Sequence, residues 1–161
     1  MKSIFITNCC SVLSGQYTGR LSSRNKSKYK AGVVLHNTIT DKVLLIQSRG
    51  FKWGFPKGSQ ECYDNGVVDC AIREMEEETG IRLDTLQVLS KKVIKINKAW
   101  YFYVPIKEHL EYTLHHRTEI TGIGWVHISC LRTCIETNSL NVNSACRKIL
   151  SLPFIKDDST I

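Results

Sequence analysis

The sequence has no run approaching the ~20 apolar residues that a bilayer-spanning helix needs, so no membrane partner is expected. It has no C-x-x-C pair, and its seven cysteines, at 9, 10, 62, 70, 130, 134 and 146, are odd in number. Residues 3–14 are mildly apolar, but Thr7 and Asn8 interrupt them, and they are not read as a cleaved signal. A disulfide framework is therefore not expected. Reduced thiols in an intracellular, cytoplasmic setting are. Structural zinc is not expected either, because Cys130 and Cys134 lack a second ligand pair, although His127 is near. The absence of a strict repeat argues against a solenoid. Hydrophobic residues make up 42% and charged residues 23% of 161 residues, which excludes wholesale disorder and suits one domain.

Acid is missing altogether from residues 1–30, which hold Lys2, Arg20, Arg24, Lys26, Lys28 and Lys30. The formal net charge of +7 thus sits mainly on a basic N-terminal arm, and the rest is nearly neutral. Such an arm favours polyanions by long-range attraction; a solvated leader is the alternative. Residues 1–30 read as a basic N-terminal arm whose start can belong to the fold, and 14–30, rich in Ser, Gly, Lys and Arg, as linker or arm. Residues 31–156 read as the domain and 157–161 as a short tail.

Within the domain, 31–36 and 43–47 are apolar runs separated by NTITD, two strands joined by a turn. Residues 50–60 (GFKWGFPKGSQ) read as a loop with specific backbone needs. Val67, Val68, Ala71, Ile72 and Met75 recur at spacings of three and four and predict a helix over 67–79, with Asp64 or Asn65 as its cap and Gly80 as its stop. Residues 86–96, 99–106 and 119–128 read as strands, and 140–150 as a C-terminal helix. The expected class is α/β, a mixed sheet packed by helices.

The predicted helix is strongly acidic. Glu74, Glu77 and Glu78 share one face at i, i+3 and i+4, and Glu76 points elsewhere. Like charges at that spacing cost roughly 0.2–0.5 kcal/mol. Anions near a helix C-terminus cost a further ~0.3–1 kcal/mol. A divalent cation reverses both penalties, and three carboxylates supply the hard oxygen ligands that suit Mg²⁺ or Mn²⁺. A solvated acidic face is the alternative.

The glycine-rich loop followed by this helix resembles the Nudix box, G-x5-E-x7-R-E-U-x-E-E-x-G-U with U apolar. Arg73, Glu74, Met75, Glu77, Glu78, Gly80 and Ile81 match the second half, and Gly58 supplies the first glycine. Between Gly58 and Arg73 there is one residue more than the consensus. Counting forward places Asp64 at the first acidic position, whereas counting back places Asn65 there. The flanks KWGFPKG (52–58), DCAIRE (69–74), EETG (77–80), RTEITGIGWVHISCL (117–131) and LSLPFIK (150–156) resemble the catalytic domain of mRNA-decapping enzymes.

The resemblance implies a Nudix α/β/α sandwich and a metal-dependent hydrolase acting on phosphoric anhydride bonds. It implies that Glu74, Glu77 and Glu78 hold Mg²⁺ or Mn²⁺, and that Glu119 is a further metal ligand or the general base. Arg73 would orient the metal-binding glutamates; a surface pair with Asp69 at i−4 is its alternative role. Gly58 would let the backbone turn tightly beside the metal, and Lys57 would meet a substrate phosphate. The implied reaction is mRNA decapping, giving methylated GDP and 5′-monophosphate RNA, with capped RNA as partner through the basic arm 20–30. A nucleotide-type small substrate, either a dinucleoside polyphosphate or a diphosphoinositol polyphosphate, is the second reading. A non-catalytic binding module is the third, and the intact glutamates argue against it.

Further phosphate contacts could come from Lys91, Lys92, Lys95 and Lys98. In a strand, 92 and 98 would face one way and 91 and 95 the other. Trp53, Trp100, Tyr101 and Tyr103 are candidates for stacking on a base, with core packing as the alternative. His115 and His116 invite an acid–base role but read as surface residues of a loop.

Overall fold

Ala31, Val33 and Leu35 fall on one side of a strand and Val34 on the other, and all four are fully buried. That period of two with apolar residues on both sides requires a sheet covered on each face. The computed structural model has this form, describing residues 2–7, 10–14, 29–48, 51–89, 92–114 and 119–155. Its strands are β1 (Lys2–Thr7), β2 (Cys10–Ser14), β3 (Lys30–Asn37), β4 (Lys42–Ser48), β5 (Lys52–Gly54), β6 (Lys57–Ser59), β7 (Val93–Ile96), β8 (Ala99–Ile106) and β9 (Gly122–His127). They form one mixed sheet in the order β1-β2-β9-β4-β3-β8-β7. Only β3 and β8 run parallel in it, from Lys30 opposite Ala99 to Asn37 opposite Ile106.

Helices α1 (Val67–Thr79) and α2 (Thr85–Leu89) cover one face, over Ala31, Val33, Leu44, Ile46, Phe102, Val104 and Ile123. Helices α3 (Ile128–Glu136) and α4 (Ser144–Leu150) cover the other, over Val34, Val43, Leu45, Tyr101 and Val126. This is the expected α/β/α sandwich. Each buried Val, Leu or Ile contributes about 1.5–3 kcal/mol, so the two faces together dominate the stability.

Strands β3 and β4 pair only beside their turn, at His36–Val43 and Asn37–Lys42. Beyond it they diverge, and the segment read as a loop fills the gap with β5 on β4 and β6 on β3. Gly32 makes this possible, because a Cβ there would collide with the Pro56 carbonyl and Lys57. The stretch 86–96 is not one strand. Asp84 accepts from the Leu86 N–H (2.7 Å) and starts α2, which buries Val88, before β7 begins at Val93. Helix α3 was not foreseen; the His127 ring caps it by accepting from the Ser129 N–H. Helix α4 begins at Ser144 because Asn143 accepts from the Cys146 N–H (2.9 Å).

The start of the segment read as an arm belongs to the sheet. Strands β1 and β2 form an antiparallel hairpin, and β2 joins β9 at Leu13–Ile123 and Ser14–Gly122. The β-branched and aromatic residues of SIFIT and SVLS favour strand form at 2–7 and 10–14. Residues 15–28, with Arg20, Arg24, Lys26 and Lys28, lie outside the described residues, as do Lys91, His115, His116 and 156–161.

Candidate active site

Helix α1 has the predicted bounds, with Cys70, Ala71, Met75 and Thr79 buried against the sheet. Gly80 ends it in the left-handed conformation (φ 73°), its N–H reaching the Glu76 carbonyl at 2.8 Å. Its start is different from the expectation. The N-cap is Gly66 at φ 124°, with no side-chain cap. Asp64 is not available to cap, because its carboxylate is held elsewhere. Asp69 instead reaches back to accept from the Asn65 N–H at 3.2 Å.

What holds Asp64 is Arg73. The guanidinium makes a two-pronged pair with it, Nε to Oδ1 and Nη2 to Oδ2, both 2.9 Å. Arg73 also donates to the Ser59 carbonyl (2.9 Å), to Glu74 (3.0 Å) and to Glu77 (3.1 Å). The side chains of Arg73 and Asp64 are only 17% and 3% exposed. This hydrogen bonding holds the Asp64 carboxyl below its ordinary range. The extra residue between Gly58 and Arg73 is thereby accounted for. Asp64 is the acid that faces the arginine, and Asn65 is not. The pairing of Arg73 with Asp69 is replaced, since Asp69 serves the helix start.

The other side of this face is electrically different. Glu78 accepts from the Lys57 N–H at 2.9 Å, which ties the helix to β6. Its carboxyl is pushed well above the usual value, chiefly by desolvation and then by repulsion from Glu74. Glu74 is raised too, by desolvation, with Arg73 opposing. Gly58 lies directly under Glu74, and a Cβ there would overlap the Glu74 carboxylate. Gly58 therefore sits at the glutamates, as the resemblance implies. The Lys57 ammonium is near enough to lower the Glu78 carboxyl. Burial drives the neighbouring Cys70 thiol up to about 12, so it stays protonated and is no nucleophile.

Among the described residues no three His, Cys, Asp or Glu side chains are gathered as a ready-made metal cluster. Glu74 and Glu77 are turned to Arg73, and Glu78 to the Lys57 N–H. The donor chemistry nevertheless fits a hard divalent cation. Glu74 and Glu78 are one helical turn apart, desolvated and mutually repelling, a state that positive charge relieves. Glu119 is half-buried just before β9. It lies at the same end of the sheet as Gly58, because β9 runs antiparallel to β4 and β4 to β3. Two residues on, Thr121 donates from its N–H to the Gln47 carbonyl (2.8 Å), and Gln47 donates to the Phe51 carbonyl (3.3 Å). The sequence reading missed this Gln47–Thr121 link, since a lone glutamine carries no pattern. It also passed over Gly32, where a glycine inside a strand was a usable signal of close approach.

The aromatic candidates divide. Trp53, Tyr101 and Tyr103 are buried core residues, Tyr103 bonding His36 at 2.9 Å. Trp100 is half-exposed beneath the Lys95 ammonium, 4.8 Å from the ring centre. Lys98 is not in a strand. It occupies the β7–β8 turn after Asn97, which has φ 55°.

A family model described as NUDIX domain matches residues 26–142. The chain belongs to the Nudix family. Relatives of this Nudix chain include the m7GpppN-mRNA hydrolase dcap-2 of Caenorhabditis elegans, 32% identical over 134 residues, spanning 78% of this chain and 17% of that one. The m7GpppN-mRNA hydrolase of Saccharomyces cerevisiae is 30% identical over 109 residues, 62% of this chain and 11% of that one. The mRNA-decapping protein g5R of African swine fever virus is 31% identical over 118 residues, 62% of this chain and 48% of that one. A related protein of Invertebrate iridescent virus 3 is 35% identical over 106 residues, and the matched stretch is 60% of its length. The chain thus spans less than two thirds of these relatives. Among solved structures, the MutT NUDIX hydrolase of Burkholderia pseudomallei shares the fold at TM-score 0.57 and 20% identity, covering 78% of this chain and 97% of that one. No helix among the described residues is long and apolar enough to cross a membrane.

Proposed function

We propose that this Nudix hydrolase decaps mRNA, cleaving the 5′ cap pyrophosphate to methylated GDP and 5′-monophosphate RNA in the cytoplasm. One observation carries the reading. Relatives from yeast, a nematode and a large DNA virus, each named for decapping or cap hydrolysis, align with 62–78% of this chain at 30–32% identity.

Glu74, Glu77 and Glu78, with Glu119 from the β9 approach, are the residues that would hold Mg²⁺ or Mn²⁺. When bound, such an ion neutralises pyrophosphate charge and lowers the pKa of a coordinated water. The chain's own groups do the rest. Arg73, anchored by Asp64 and the Ser59 carbonyl, holds Glu74 and Glu77 in fixed orientation. The Lys57 N–H fixes Glu78, and its ammonium adds positive charge for a substrate phosphate. Gly58 keeps the floor beneath Glu74 open. Glu119, a half-buried carboxylate just before β9, is the candidate for proton abstraction if it is not a metal ligand.

The test is cleavage of RNA labelled in its cap phosphates, beside a free dinucleoside polyphosphate. Release of methylated GDP from RNA supports decapping. Cleavage of the small compound alone moves the substrate to soluble nucleotides.

A further inference from the structure

The β7–β8 hairpin, residues 92–106, contains Lys92, Lys95 and Lys98 and no acid. Its register places it beside the candidate site. Gly58 opposes Ala31, Ala31 opposes Trp100, and Trp100 opposes Lys95. These four residues form one row across the sheet, about 14 Å from Gly58 to Lys95 at a strand spacing of ~4.8 Å. The outermost row runs from Ser59 through Lys30 to Ala99, and the Lys30 N–H bonds the Lys98 carbonyl at 2.9 Å. Lys98 and Lys95 are therefore cations at the strand ends that lead away from Lys57 and Gly58. Lys95 is on the side of the sheet that Ala31 and Trp100 share, whereas Lys30 falls on the opposite side with Val34. Lys95 and Lys98 are exposed. The Trp100 ring lies beneath the Lys95 ammonium and holds it over the rim. Val93, the exposed apolar residue of β7, opposes Phe102, two residues farther from the Gly58 row than Lys95.

We propose that Lys95 and Lys98 form a phosphate track for the single-stranded RNA that follows the scissile pyrophosphate, with Trp100 as the positioning residue of Lys95. The identity of the polyanion rests on the decapping reading. A track of this kind binds the backbone without sequence preference and weakens with salt.

The test uses the full chain carrying Glu78→Gln, titrated with labelled, uncapped single-stranded RNA of about 20 nucleotides across a salt series. Each lost phosphate contact reduces the slope of log affinity against log salt by ~0.7 for a single strand, so Lys95→Gln with Lys98→Gln should lower it by ~1.4 and weaken low-salt binding about tenfold. Trp100→Leu should lower the slope by up to ~0.7, and Trp100→Phe, which keeps an aromatic platform, should restore it. Lys148→Gln, exposed on α4 behind the sheet, should change neither. Unchanged affinity and slope in the double lysine variant overturns the track. An equal loss in Lys148→Gln also overturns it, because any surface charge would then serve. Displacement of RNA by polyglutamate at equal charge concentration overturns the RNA assignment in favour of an acidic protein segment. The track and the cap reading fail separately. If the lysine variant loses RNA affinity but the wild type releases no methylated GDP, the track stands and decapping falls. Cap release with unaltered RNA affinity in the variant has the opposite meaning.

Discussion

Arg73 has two kinds of neighbour, and each predicts a different consequence of mutation. Toward Asp64 it forms a nearly closed pair, so Asp64→Asn leaves a poorly exposed guanidinium short of its counter-charge and should cost about 2–4 kcal/mol. Asn65→Ala should stay within about 0.5 kcal/mol, as surface substitutions do. Urea unfolding of both variants checks this. The pair also sets an acid limit. Asp64 has a depressed folded pKa, so its contribution is fully present above the unfolded carboxylate value and is lost as pH falls through the folded one. Glu78 has the opposite sign. Its raised folded pKa favours the fold below the unfolded value of about 4.3 and loses that contribution as pH rises through the folded one. In chelator, wild-type Tm should therefore decline toward neutrality relative to Glu78→Gln, which should be about 2–4 °C more stable at pH 7 for each kcal/mol of relieved repulsion. The same variant should lose turnover by about a thousandfold or more, as loss of transition-state charge stabilisation does. At this scale the sequence identified the helix glutamates because the motif repeats them at helical spacing. It could not choose between Asp64 and Asn65, because the spacing allows both and only the reach of the Arg73 guanidinium decides.

Elements were legible where periodicity runs long and ends on a glycine, as in α1. Short elements held by neighbours were not. Strands β5 and β6 have three residues each and exist because β3 and β4 diverge, a tertiary cause that no local pattern carries. Helix α2 was hidden in an apolar run whose first half is helical and second half extended. Two predictions belong here. Gly58→Ala should disable catalysis while leaving the far-ultraviolet circular dichroism spectrum unchanged, since the new methyl meets the Glu74 carboxylate rather than core. Asn143→Ala should cost about 1 kcal/mol in urea unfolding, because it removes the cap of α4. Its backbone N–H bonds the Trp53 carbonyl (2.9 Å) in any variant, so β5 should stay in place.

For the whole molecule, the basic charge and the fold overlap at the N-terminus. Strands β1 and β2 extend the sheet through β9, whereas Arg20, Arg24, Lys26 and Lys28 follow them in sequence. Deleting residues 1–28 should therefore lower Tm as well as RNA affinity. Changing only those four bases to Gln should weaken RNA binding steeply at low salt and lower Tm less than the deletion does. The strand pair was not predicted because its two apolar runs are short and broken by Asn8, and only the register of β2 against Ile123 gives them a place. Lys95 and Lys98 are far from Gly58 along the chain and come beside it only through the parallel β3–β8 pairing. The account as a whole depends on the glutamate face acting on a capped RNA. The decisive measurement is chromatography of the products from RNA labelled in its cap phosphates, with Mg²⁺ or Mn²⁺, for the wild type and Glu78→Gln. The account predicts methylated GDP from the wild type and none from the variant. Equal release from both, or none from either with Mg²⁺ and Mn²⁺ each tried, would contradict it.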